Sequence, residues 1–212
     1  MKKIFIVAAS IVVMSASTPA FAEDPVSWTG LFIGTDIGYS TGDAHVHIPN
    51  YPSTFDLEAD GLIGGIRAGY NYQEDNLVVG IDGSLYLSDV SGKHASGLDS
   101  ELYKLKEDDP NGSLGIRIGY AVDKALVFVR SGWAFTKLKT WYDPLAGGVD
   151  TENVDGWTVG GGVEYAITDR LSTHVEYRYT EYNRERFFHN GPSTVDYSPN
   201  EFLFGFSYNL GS

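Results

Sequence analysis

Eight stretches of this chain alternate apolar residues with small or polar ones, and a period of two restricts it to β-strands with two unlike faces. They are LFIGTDIGY (31–39), GLIGGIRAGYNY (61–72), LVVGIDGSLYL (77–87), SLGIRIGY (113–120), ALVFVRSGWAF (125–135), WTVGGGVEYA (157–166), LSTHVEYRY (171–179) and EFLFGFSYNL (201–210). In the first, Leu31, Ile33, Thr35, Ile37 and Tyr39 share one face, and Phe32, Gly34, Asp36 and Gly38 the other. None of the eight sustains the 3.6 period of an amphipathic helix.

The connections alternate too. Short ones join the second and third segments (73–76), the fourth and fifth (121–124) and the sixth and seventh (167–170). Polar stretches at about 40–60, 88–112, 137–156 and 183–200 are rich in Pro, Gly, Asn and acids, and are read as long loops. Antiparallel neighbours joined this way gather the long loops at one end and the tight turns at the other. Eight strands of this length with segregated loops match the smallest transmembrane barrels. The expected fold is therefore all-β, an eight-stranded antiparallel up-and-down transmembrane β-barrel.

The faces say which way the sheet curls. One is Leu, Ile, Val and aromatics, with Tyr39, Tyr70, Tyr72, Tyr120, Trp157, Tyr179 and Tyr208 near segment ends, where a ring bearing a polar tip suits a headgroup boundary. The other is mostly Gly and charge: Asp36, Arg67, Asp82, Arg117, Arg130, Glu164, Glu176 and Arg178, with His174 among them. Enclosed charges must be paired. An ionic network of these nine residues, filling a narrow lumen, is the expectation. A soluble calyx would need the apolar face inside; here it must meet lipid. A lumen of this size holds side chains, so nutrient diffusion is not expected, and a weak small-solute pore is the most it would form.

Composition trims the remaining options. There is no Cys, which excludes disulfides, thiolate metal sites and thiol catalysis. The net charge of -13 argues against a nucleic-acid partner. Residues 1–22 begin with Lys2 and Lys3, continue through an apolar run from Ile4 to Met14, and end in the small-x-small pair Ala20 and Ala22. They read as a cleaved signal peptide, leaving a barrel domain at 23–212. Beyond them no apolar run is long enough for a helical span.

Few residues suggest chemistry. His45 and His47, two apart in the first long stretch, are the candidate hemin ligands, with His94 and His189 in other long stretches; ordinary exposed loop histidines explain the same pattern. Asp143, Asp150, Glu152 and Asp155 lack EF-hand spacing and read as a solvated acidic loop. Ser172, His174 and Asp169 lack a nucleophile elbow. No catalytic residue, metal site or required cofactor is expected.

At Trp28-Thr29-Gly30-Leu31-Phe32-Ile33-Gly34, preceded by Glu23-Asp24-Pro25, the chain resembles a family. It is that of the porin-like eight-stranded outer-membrane β-barrels of alphaproteobacteria, which includes the major surface proteins of Brucella and Rhizobium relatives and the hemin-binding surface proteins of Bartonella. Gly65-Ile66-Arg67-Ala68-Gly69-Tyr70, its echo Gly115-Ile116-Arg117-Ile118-Gly119-Tyr120, Gly161-Gly162-Val163-Glu164-Tyr165-Ala166 and Val175-Glu176-Tyr177-Arg178-Tyr179 look like the same usage. The resemblance spans about 23–210. It implies a non-catalytic surface antigen of a Gram-negative outer membrane that supports envelope integrity. Its partners would be outer-membrane lipids and lipopolysaccharide, the outer-membrane assembly machinery, and a host surface component or hemin.

Overall fold

The computed structural model describes residues 26–47, 54–96, 100–142, 148–183, 185–187 and 193–211. The expected signal segment, His189, Asp143 and Ser212 lie outside them. Ten strands form one antiparallel sheet: β1 (Gly30–His47), β2 (Thr54–Glu74), β3 (Leu77–Ser88), β4 (Ser91–Ser96), β5 (Ser100–Val122), β6 (Ala125–Tyr142), β7 (Gly148–Ala166), β8 (Leu171–Tyr182), β9 (Glu185–Phe187) and β10 (Ser193–Asn209). They make eight staves. β4 continues β3 in unbroken register, since Ile63 faces Ser88 while Asp60 faces Ser91. β9 follows β8 along β10 with its register shifted by one residue. β1 pairs with both β2 and β10, so the sheet closes on itself and leaves no edge within the wall.

Side chains follow the period of two. Along β3 exposure alternates strictly from Leu77 to Ser88. Leu62, Ile81, Leu87, Ile116, Val129, Val175 and Phe202 are among the many large apolar side chains facing outward, while Asp36, Arg67, Arg117, Arg130, Glu176 and Arg178 are buried inside. The outward band ends in rings. Tyr70, Tyr72, Tyr120, Tyr165 and Tyr208 lie towards the short turns; Tyr39, Trp133, Trp157, Tyr177 and Phe202 lie towards the opposite end. Trp157 and Tyr165 are eight residues apart on β7. That is about 26 Å of strand, or about 20 Å along the axis at the usual tilt of membrane barrels.

The outward band has a direct test. Ile116 lies between the two rings and is 56% exposed. Replacing it with Arg is expected to cost about 2–4 kcal/mol in lipid, read as a lower urea midpoint for vesicle-reconstituted protein. On a water-facing sheet the same change would be nearly neutral.

The short connections are as expected. Two are two-residue hairpin turns, Asp75-Asn76 and Asp123-Lys124, and their first residues have φ of 52° and 51°. Positive φ there gives the turn the hand that matches strand twist, and Asp tolerates it through its short polar side chain. The long connections are a correction. Most of 40–60, 88–112, 137–156 and 183–200 is strand, not loop. The β1–β10 ladder runs on to His47–Thr194, and β6–β7 to Tyr142–Gly148. The loop signals have local explanations. Pro110 and Asn111 sit in a bulge, where the β5–β6 register slips between Asp108 and Gly112, and a bulge tolerates a residue with no N–H. Pro199 falls immediately beyond Asn200–Tyr179, where the ladder from β10 to β8 stops and a donor is no longer needed.

Candidate functional site: the closed ionic lumen

Every stave sends at least one charge inward. Asp36 comes from β1, Arg67 from β2, Asp82 from β3, Arg117 from β5, Arg130 from β6, Glu164 from β7, and His174, Glu176 and Arg178 from β8. β10 adds Glu201. The structure brings the nine residues singled out by sequence into two groups.

The larger group centres on Glu176. Its Oε2 accepts from Arg67 Nη2 at 2.7 Å, and its Oε1 from Arg178 Nε at 3.0 Å. Arg130 Nη1 stands 3.7 Å from the same Oε1, while Arg130 Nη2 binds Asp82 Oδ2 at 2.9 Å. One carboxylate thus lies among three guanidinium groups. Asp36 completes the group, accepting from Tyr86 Oη at 2.7 Å and lying 3.4 Å from Arg67 Nε. His174 Nε2 is 2.7 Å from Asp36 Oδ1 and 2.9 Å from Arg67 Nη1, but one ring nitrogen cannot donate and accept together. The shorter contact is to a carboxylate, so Nε2 carries its proton towards Asp36, and the Arg67 contact is proximity alone. Gly205 lies against this pair, where a β-carbon would collide with Asp36 and His174.

The second group lies nearer the turns. Arg117 Nη2 donates to Glu164 Oε2 at 2.8 Å, and Ser172 Oγ donates to Glu164 Oε1 at 2.6 Å. Phe128 and Phe32 flank the Arg117 guanidinium, with ring centroids 4.6 Å and 5.4 Å from its Cζ. Ser172 and His174 therefore serve different carboxylates, not one another.

Apolar clusters bracket the charges. At the turn end Val26, Trp28, Val78, Ala121, Leu126, Phe128 and Ala166 are packed together. Sequence periodicity missed this plug because Val26 and Trp28 precede the first strand. Their segment folds into the mouth: the Trp28 N–H donates to Gln73 Oε1 at 2.8 Å, and the Gln73 N–H to Thr29 Oγ1 at 3.0 Å. At the other end Ile63, Val90, Leu138, Val154, Tyr182, Tyr197 and Leu203 pack together, with Tyr182 and Tyr197 stacked at 5.9 Å. Glu107, buried and bonded by Asn111 Nδ2 at 3.0 Å, is a further inward acid, hidden from sequence reading by the supposed loop around it.

His45 and His47 occupy strand positions on β1. His45 is opposite Asp56 and Asp196, and His47 opposite Thr54 and Thr194. His94 lies on β4 opposite Tyr103. Asp150, Glu152 and Asp155 lie on β7. Among the described residues no three His, Asp or Glu side chains gather as a metal site would require.

An inside-out polarity, closed staves and paired lumen charges are what a lipid-embedded barrel requires. The family model described as "Outer membrane protein beta-barrel domain" matches residues 7–209. The chain belongs to that family. The 31 kDa outer-membrane immunogenic protein of Brucella melitensis is 33% identical over 193 residues, covering 82% of this chain and 80% of its own. The 25 kDa outer-membrane immunogenic protein of Brucella abortus is 29% identical, covering 88% and 87%. Among solved structures, Neisserial surface protein A superposes with a TM-score of 0.50 at 16% identity, over 86% of this chain and 98% of its own, and shows the shared fold. The barrel is thus a protein of the Gram-negative outer membrane, related to immunogenic surface proteins.

Proposed function

We propose that this barrel is a structural and surface-interaction protein. Its wall anchors it, its lumen is closed to nutrients, and the strands running past the upper ring project outside the cell to meet host or environment. The observation that carries this reading is the lumen, filled by paired ions from all eight staves between two apolar plugs. With short turns inside and long hairpins outside, as is general for such barrels, a membrane-impermeant amine reagent applied to intact cells should label Lys106 and Lys137 but spare Lys124. The opposite labelling would reverse the orientation. Planar-bilayer recordings should show no discrete conductance steps, and a strain lacking the protein should become more sensitive to detergents. Regular steps, or an unaltered envelope, would refute the respective half of the proposal. Assembly would rest on the outward alternation Phe202, Phe204, Phe206, Tyr208 and Leu210 in the last strand.

Hemin binding is a second reading, supported by the placing of His45 and His47 two residues apart on β1. Hemin added to the folded barrel would shift its absorbance, and His45→Ala with His47→Ala would abolish the shift. No shift would dispose of this reading.

A further inference from the structure

Glu201 stands one residue beyond Phe202 of the upper ring, on the lumen side of β10, with Arg178 of β8 and Ser40 of β1 directly opposite. Its side chain is 12% exposed. On the same face of β10, Leu203 follows by two residues and Tyr197 precedes by four. Both belong, with Tyr182, to the outer apolar plug.

Arg178 serves two carboxylates unequally. Its Nη1 lies 3.7 Å from Glu201 Oε2, too far for a hydrogen bond. Its Nε and Nη2 bind Glu176 Oε1 at 3.0 and 2.9 Å, and Nη2 is 3.3 Å from Tyr86 Oη. Glu176 does not depend on this one guanidinium, because Arg67 donates to it at 2.7 Å and Arg130 stands 3.7 Å away. Arg130 itself is bound to Asp82 at 2.9 Å.

The remaining neighbours of Glu201 do not favour a second negative charge. Glu176 of β8 and Glu107 of β5 lie within reach of its charge and repel it, while Arg130 of β6 attracts it from deeper in the lumen. The phenols of Tyr182 and Tyr197 are within the same reach. Ser40, from β1, is uncharged. A carboxyl group taken from water favours its neutral form, and nearby acids push the same way. Arg178 is the group that opposes them most directly, and its other nitrogens are engaged elsewhere.

We propose that Glu201 and Arg178 form a pH-operated latch at the outer end of the lumen. At neutral pH Glu201 holds a proton and Arg178 lies against Glu176, the arrangement seen in the structure. In mildly alkaline medium Glu201 releases its proton to water, and Arg178 shifts by about 1 Å to pair with the new carboxylate. Glu176 keeps Arg67 and Arg130, so the central cluster stays neutralised while one guanidinium moves. The Arg117–Glu164 pair at the turn end takes no part. The closed lumen thus senses the medium at one end alone.

The test uses the full barrel folded in lipid vesicles and titrated from neutral to alkaline pH. Infrared spectra of the parent should show the carbonyl band of a protonated carboxylic acid at neutral pH, and lose it as the pH rises. Glu201→Gln should lack the band already at neutral pH, whereas Glu164→Gln, at the turn end, should keep it. In nitrogen-15 spectra of labelled arginine, the resonance missing from Arg178→Lys identifies Arg178. It should shift in step with the band in the parent and stay in place in Glu201→Gln. Gel mobility before and after boiling verifies that each variant is folded, and the titration of the parent needs no variant. No acid band at neutral pH would overturn the proposal. So would a band that survives in Glu201→Gln, which would put the proton on another group, or an Arg178 resonance unmoved by the titration, which would leave a buried acid without a latch.

Discussion

Replacing Glu176 with Gln should cost the barrel about 3–5 kcal/mol, the usual penalty for stripping one partner from a buried ion pair. The reason is numerical asymmetry at the centre of the lumen. Arg67 and Arg178 bond directly to this one carboxylate, and Arg130 lies 3.7 Å from it. A neutral amide has the same shape but leaves three guanidinium groups facing each other across a dry interior, where their repulsion is poorly screened. The measurement is the urea midpoint of vesicle-reconstituted protein, followed by heat-modifiable gel mobility. Val175→Ala, on the same strand but pointing outward, should move it by less than about 1 kcal/mol, since surface changes away from special features usually stay small. Equal effects from the two substitutions would show that the lumen network is not what holds the staves together.

Trp28→Ala should be comparably severe, about 3–5 kcal/mol, although Trp28 belongs to no strand. It is 5% exposed and packs with Val78, Leu126 and Phe128 in the turn-end mouth. Removing the indole leaves a cavity that β-strands locked in a closed ladder cannot collapse to fill. The same variant should unseat Val26–Thr29, whose hydrogen bonds to Gln73 hold the segment across the opening. Conductance in planar bilayers then provides a second readout: steps should appear in Trp28→Ala and be absent from the parent. A variant as stable as the parent and equally silent would mean that the N-terminal segment merely rests on the rim.

Much of this arrangement was legible in the sequence, because a period of two leaves little freedom. Once Ile116 and Ile118 face out, Arg117 must face in, and the same reasoning places the other inward charges on their staves. What periodicity could not supply was distance along the strand and partner choice. Nothing in the sequence says that Glu176 rather than Glu164 meets three arginines; that depends on register, which brings Arg67 of β2 and Arg178 of β8 to one level of the lumen. Strand ends were misread where Pro110, Asn111 and Pro199 mimic loops, because Pro is harmless in a bulge or where a ladder stops. Trp28 was invisible for the opposite reason: a plug without periodicity leaves no pattern to count.

Asp36 and His174 are 138 residues apart in sequence, yet they meet only because the first strand zips to the last. Until that seam closes, Asp36 of β1 and Arg67 of β2 are held apart from His174 and Glu176 of β8, and closing the sheet brings these charges together. Entering hydrocarbon before that moment would expose those ions to a medium that cannot solvate them. An open sheet in the bilayer would leave these charges unpaired in hydrocarbon, so closure before or together with insertion is the energetically favoured order.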